Sequence, residues 1–155
     1  MKGLFRILAL AALVGLAASV AAADEMMFIY RRIYQQAETF RQKEAAALAV
    51  ASRDDPGTAA VLEYILDDLL KSGPEVAQGS QDRQIWNGLV RTIVGALGKA
   101  RYIEAAPLAW DAYNQSENPL TRAEALIALG NMRALEYAER ISLILRNLNF
   151  EPVQD

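Results

Sequence analysis

Asn118-Pro119-Leu120-Thr121-Arg122-Ala123-Glu124-Ala125-Leu126-Ile127-Ala128-Leu129-Gly130 is the stretch that decides the fold. Pro119 opens a helix, because its fixed φ suits the first helical position, where its missing N–H is not needed. Alanine and leucine, which lose little on entering a helix, carry the segment to Gly130. Its last three residues repeat Ala96-Leu97-Gly98, which lies 32 residues earlier. In both copies a helix is expected to end at the glycine, turn tightly and restart within a few residues. Ile103 then aligns with Leu135, Ala106 with Ala138 and Tyr113 with Leu145. A period of about 30–45 residues built from helix pairs is the mark of a stacked helical array.

Helical periodicity extends in both directions from that stretch. Met26, Ile29, Ile33, Ala37 and Phe40 share a face, continued by Ala47, Leu48 and Ala51 but interrupted by Glu44. Residues 25–53 therefore form either one long helix or two joined near 41–44. Asp55 before Pro56 reads as an N-cap and first-turn proline opening the next helix. That helix carries Leu62, Ile65, Leu66 and Leu69 and ends at Ser72-Gly73-Pro74, where glycine suits a left-handed cap. A third helix, from about Asp82 to Leu97, is apolar over half its circumference through Ile85, Trp86, Leu89, Val90, Ile93 and Val94. Its other side carries Gly88, Thr92 and Gly95, small enough for close backbone approach, so it is placed at the centre. A fourth runs from about Arg101 to Asn114, with Pro107 demanding a kink or a start nearer Ala106. The fifth spans 119–130. The sixth, from about Ala134 to Leu148, presents Tyr137, Ala138, Ile141, Ile144, Leu145 and Leu148 on one face.

The constellation Asn118-Pro119, Arg122, Ala125 and Ala128-Leu129-Gly130 resembles a HEAT-like repeat, of the short form also found in phycobilisome lyase-like proteins. In that family Asn-Pro or Asp-Pro opens the first helix, and an arginine near its start ties neighbouring helices. Small alanines let the pair approach, and glycine ends the first helix. Thr121 departs from the family's valine. The copy around Ala96, Leu97 and Gly98 lacks Asn-Pro and has Arg91 one place off the spacing. The resemblance covers residues 82–148, and residues 25–71 match only in layout. It implies an all-α fold of about three stacked antiparallel helix pairs, a short α-solenoid. Arg122 takes a structural role under it.

The N-terminus reads as a signal peptide: basic Lys2 and Arg6, the apolar run Ile7–Ala18, then small Ala21 and Ala23 before Asp24. The rival reading is an uncleaved anchor, but the apolar stretch is short and rich in alanine. Residues 1–23 are thus assigned to the leader and 24–155 to the helical domain, periplasmic or secreted from a bacterium. Cleavage leaves 14 basic against 19 acidic residues, a net charge of −5. That sign disfavours nucleic acid and anionic lipid as partners. With no cysteine and no histidine, thiol and imidazole catalysis and the usual zinc sites are excluded.

The remaining candidates for chemistry have plainer readings. Asp54-Asp55 reads as a cap and Asp67-Asp68 as a solvated pair, with Lys71 four residues after Asp67. Trp86, Trp110, Tyr102 and Tyr113 form either an aromatic groove or, on the apolar faces they occupy, core packing. Arg31-Arg32 reads as solvent-facing. No cofactor motif is present. The expected function is therefore non-catalytic, a protein-interaction scaffold; an enzyme or accessory lyase on the same scaffold and a small ligand-binding bundle are the alternatives. The sixth helix lacks a polar cap of the kind that closes solenoids. Leu143 projects opposite its main face and Phe150 follows. Either the chain continues, or a partner or a second copy covers this end.

Overall fold

The computed structural model describes residues 25–53, 55 and 57–148, and every regular element among them is helical. Among the described residues there are seven α-helices: α1 (25–35), α2 (Phe40–Ala51), α3 (Thr58–Ser72), α4 (Gln81–Lys99), α5 (Ala106–Gln115), α6 (Pro119–Met132) and α7 (Ala138–Leu148). Short 3-10 turns at Gly73–Glu75, Ile103–Ala105 and Leu135–Tyr137 follow α3 and precede α5 and α7.

The first segment is two helices, and the break falls at 36–39, ahead of the expected joint near 41–44. A capping box causes it. The Thr39 hydroxyl accepts from the Gln42 N–H at 3.2 Å, and the Gln42 side chain accepts from the Thr39 N–H at 3.1 Å. The next start also differs from expectation. Asp55 is not the N-cap; Gly57 is, at φ 87°, and α3 begins at Thr58. That left-handed geometry favours glycine, and a Cβ there would lie 3.1 Å from the Met27 side chain. The Asp55 carboxylate pairs with Arg53 instead.

α4 is central, packing against α6, α2 and α3, while α5 packs against α6 and α3. Trp86, Leu89, Val90, Ile93, Val94 and Leu97 are fully buried. They meet Ile65, Leu66 and Leu69 of α3, Val50 of α2, and the small residues Ala109, Ala112, Ala125 and Ala128 of α5 and α6 within one core. The Trp86 indole donates at 2.7 Å to the Leu69 carbonyl in the last turn of α3, which also accepts from the Ser72 hydroxyl at 3.1 Å. Gly73 is right-handed, so it is no left-handed cap. It makes room: a Cβ would sit 2.6 Å from the Trp86 ring. Buried Arg83 donates to the Gly73 carbonyl at 2.8 Å and lies over the same ring.

The helix ends near Gly98 and Gly130 differ from expectation in a consistent way. Neither glycine terminates its helix, since α4 runs to Lys99 and α6 to Met132. The left-handed residues are Arg101 (φ 54°) and Arg133 (φ 57°). Tyr102 N–H donates to Leu97 and Arg101 N–H to Gly98, and Ala134 and Arg133 donate in the same way to Leu129 and Gly130. These are paired Schellman bonds with arginine where glycine is usual. The same turn is thus built twice, 32 residues apart, each time followed by a 3-10 turn and a helix. Pro107 falls in the first turn of α5, so the start near Ala106 is the observed alternative and no kink is needed.

Candidate functional site

α6 carries an exposed apolar stripe of regular layout; α1 also exposes apolar side chains, Met26, Phe28, Ile29 and Ile33. Asn118 caps α6, its side chain accepting from the Leu120 and Thr121 N–H groups. Thr121, Ala125, Ala128, Leu129 and Met132 form the buried face. Thr121 donates to the Asn87 carbonyl of α4 at 3.2 Å, a bond that valine at this position would not make. Arg122 is exposed. It donates to the Tyr113 hydroxyl at 2.6 Å and stacks over that ring, linking α6 to α5. The outer face carries Leu120 (59% exposed), Ala123, Ile127 (55% exposed) and Gly130. These residues follow at steps of three, four and three, one stripe along the helix.

The corresponding residues of α4, 32 positions earlier, are Gly88, Arg91, Gly95 and Gly98. Gly98 receives α6 directly: a Cβ there would be 2.7 Å from Ala128 Cα and 2.8 Å from its Cβ. A Cβ on Gly95 would meet the Glu124 carboxylate at 2.7 Å. Gly88 has nothing within 4 Å, so the close approach expected there is absent. Around Gly130, too, nothing lies within 4 Å among the described residues. Arg91 is exposed, so on this face α4 is covered at Gly95 and Gly98 alone, and the matching α6 residues Ile127 and Gly130 are exposed.

α7 adds to this end of the molecule. None of its described side chains is fully buried. Ile141 and Ile144 are half-buried, while Leu143 (51% exposed) and Leu145 face outward, and Leu135 in the preceding turn is exposed. Tyr137 holds the turn by stacking on Trp110 at 5.3 Å, and Trp110 stacks on Tyr113 at 5.4 Å. Arg140 lies over Trp110. The four aromatic candidates therefore separate. Trp86 is in the core, Trp110 and Tyr113 form a stack, and half-buried Tyr102 donates to Glu63 of α3 at 3.0 Å. Burial first, then that carboxylate, raises the Tyr102 hydroxyl above the ordinary tyrosine range.

A groove of roughly 860 Å³ lies over the outer side of α4, floored by Thr92, Gly95 and Ala96. Arg53, Arg91 and Lys99 line it with Asp55 and Glu124, and Thr58 of α3 joins its wall. The Thr58 hydroxyl is buried and has no hydrogen-bond partner among the described residues. The charges of the groove are mixed, and the groove opens to solvent. Among the described residues no cluster of three carboxylates is placed to hold a metal.

The sequence reading missed a polar joint at the other end. Asp67 does pair with Lys71 on the surface of α3. Asp68, expected to be solvated beside it, instead accepts from the Tyr34 hydroxyl of α1 and the Lys43 ammonium of α2, both at 2.9 Å. Tyr34 is 1% exposed. Burial, and then the Asp68 carboxylate, holds its hydroxyl far above the usual tyrosine range. Arg31 and Arg32 are exposed, Arg31 lying over the Tyr64 ring. Ala21, Ala23 and Asp24, expected to mark a signal cleavage site, together with Asp54 and Phe150, lie outside the described residues.

No protein-family model, no curated protein and no solved structure matches this chain. Among the described residues no helix is long and apolar enough to cross a membrane.

Proposed function

We propose that the chain is an exported, non-catalytic protein-interaction scaffold built from HEAT-like helix pairs, with its docking surface on α6 and α7. The observation that carries this reading is the outer stripe of α6. Ile127 and Gly130 occupy the positions at which Gly95 and Gly98 of α4 receive α6, yet they are open, as are Leu120 and Ala123 on the same stripe. Burying apolar surface drives association, and a patch of this kind marks a contact site. The twice-built turn and the order of packing, α2 beside α4 and α4 beside α6, support stacked pairs. The contact of Ala128 on Gly98 matches the small-residue approach of the family that the stretch 118–130 resembles. Export to the periplasm rests on the leader pattern, and the net charge of −5 favours protein partners over nucleic acid.

The test is capture from the native periplasm with the mature chain and with its Ile127→Glu variant as baits, read by mass spectrometry. The scaffold reading expects proteins held by the parent and lost by the variant. Identical sets with both baits, or none above background, would contradict it.

A further inference from the structure

We propose that the outer face of α6 docks a second copy of this chain, the two α6 helices crossing antiparallel about a two-fold axis level with Ala125. This inference rests on the reading of α6 as a docking surface and names its occupant. Along the helix the stripe alternates large and small: Leu120, Ala123, Ile127, Gly130. A two-fold axis level with residue 125 pairs each residue with the one equally far on the other side. Leu120 then lies opposite Gly130 of the second copy, and Ala123 opposite Ile127. Every large side chain meets a small one, and Gly130, with nothing within 4 Å among the described residues, is the notch for a leucine. A parallel pairing would set leucine on leucine and leave a void between the two glycines. An interface with this symmetry must be complementary to itself, and a large–small alternation that inverts on reversal meets that condition.

The charges agree with the antiparallel sense. Glu117 precedes α6 and Arg133 caps its other end; both are exposed and neither is in a recorded ion pair among the described residues. The same axis sets Glu117 of one copy level with Arg133 of the other, twice per dimer. The helix dipoles oppose as well. One helix face per copy falls at or below the lower end of the roughly 1,200–2,000 Å² buried in stable interfaces, so the dimer is of modest affinity and depends on concentration.

The chain has no cysteine, which makes a cross-linking test unambiguous. Single-cysteine variants Ala123→Cys and Ile127→Cys are made in the full chain, oxidised separately and in mixture, and checked for folding by far-ultraviolet circular dichroism. The mixture should give the 123–127 disulfide in preference to either homotypic product, because a disulfide needs Cα atoms within about 7 Å. By sedimentation velocity the parent should pass from monomer to dimer with rising concentration. Glu117→Arg should weaken the dimer about tenfold, since two exposed pairs turn repulsive, and Glu117→Arg with Arg133→Glu should restore it. Preferential 123–123 cross-linking, species that grow beyond the dimer, or a charge double variant no better than the single would overturn the proposal. So would a parent that stays monomeric at every concentration. If such a monomer still loses a captured protein through Ile127→Glu, the face serves a different partner; the two-fold pairing then falls and the scaffold reading stands.

Discussion

Alanine at Gly98 should destabilise this chain, and alanine at Gly130 should stabilise it, although both glycines close the same Ala-Leu-Gly sequence. Both sit inside helices with ordinary negative φ, so alanine gains helix propensity at each, about 0.5–1 kcal/mol. At Gly130 nothing among the described residues lies within 4 Å to oppose that gain. At Gly98 the new methyl carbon would be 2.7 Å from Ala128 Cα and 2.8 Å from Ala128 Cβ. The first of these is backbone, so α4 and α6 must part. Overpacking of this kind costs about 1–3 kcal/mol, leaving a net loss on the order of 1 kcal/mol. For a chain of this size 1 kcal/mol moves the melting midpoint by about 2–4 °C. Urea unfolding and thermal melts followed by circular dichroism at low concentration, where the proposed association through α6 would not intrude, measure both variants. Shifts of the same sign in the two would refute the reasoning, because it would mean that Gly98 and Gly130 do not differ in surroundings.

Thr58→Val should stabilise the fold by about 1–2 kcal/mol, because it removes a buried hydroxyl with no partner among the described residues while keeping its shape; a loss in urea unfolding would show that the hydroxyl is satisfied. Tyr34 gives an alkaline signature. Its folded pKa lies above the ordinary value of about 10, so its contribution is intact below that pH. As pH rises further the unfolded chain loses the proton first, and stability falls by about 1.4 kcal/mol per unit. Tyr34→Phe should flatten that slope, and unfolding free energies at a series of alkaline pH values that are parallel in parent and variant would count against it. Intact mass of the native protein should begin at Asp24, and a species retaining Met1 to Ala23 in the membrane fraction would sink the export reading.

The helices themselves were legible because their signals are local. Asn118-Pro119 caps and opens α6, Pro107 sits in the first turn of α5, and the broad apolar side of α4 marks it as the centre. The glycines were not legible in the same way. Sequence alone does not say whether a missing Cβ serves a left-handed turn or a close contact. Gly73 and Gly98 turned out to make room for the Trp86 ring and for Ala128, while two arginines took the left-handed turns. The break at 36–39 carried a readable signal, Thr39-x-x-Gln42, that the periodicity of the flanking apolar residues obscured. The Tyr34–Asp68–Lys43 joint spans α1, α2 and α3 and leaves no local trace. The open stripe of α6 was hidden for a different reason. That helix is apolar nearly all round, so no polar side marks which face turns outward. α7 has the clearest division of faces, yet buries no described side chain fully.

The most direct measurement for the docking surface is site-specific photo-cross-linking in the living cell, with a photoreactive residue placed at Ile127 and, separately, at exposed Gln84 on α4. The account predicts a discrete protein adduct from position 127, at the mass of two chains if the partner is a second copy, and none from position 84. No adduct at 127, or equal adducts at both positions, would contradict the claim that the outer face of α6 is where this protein meets its partner.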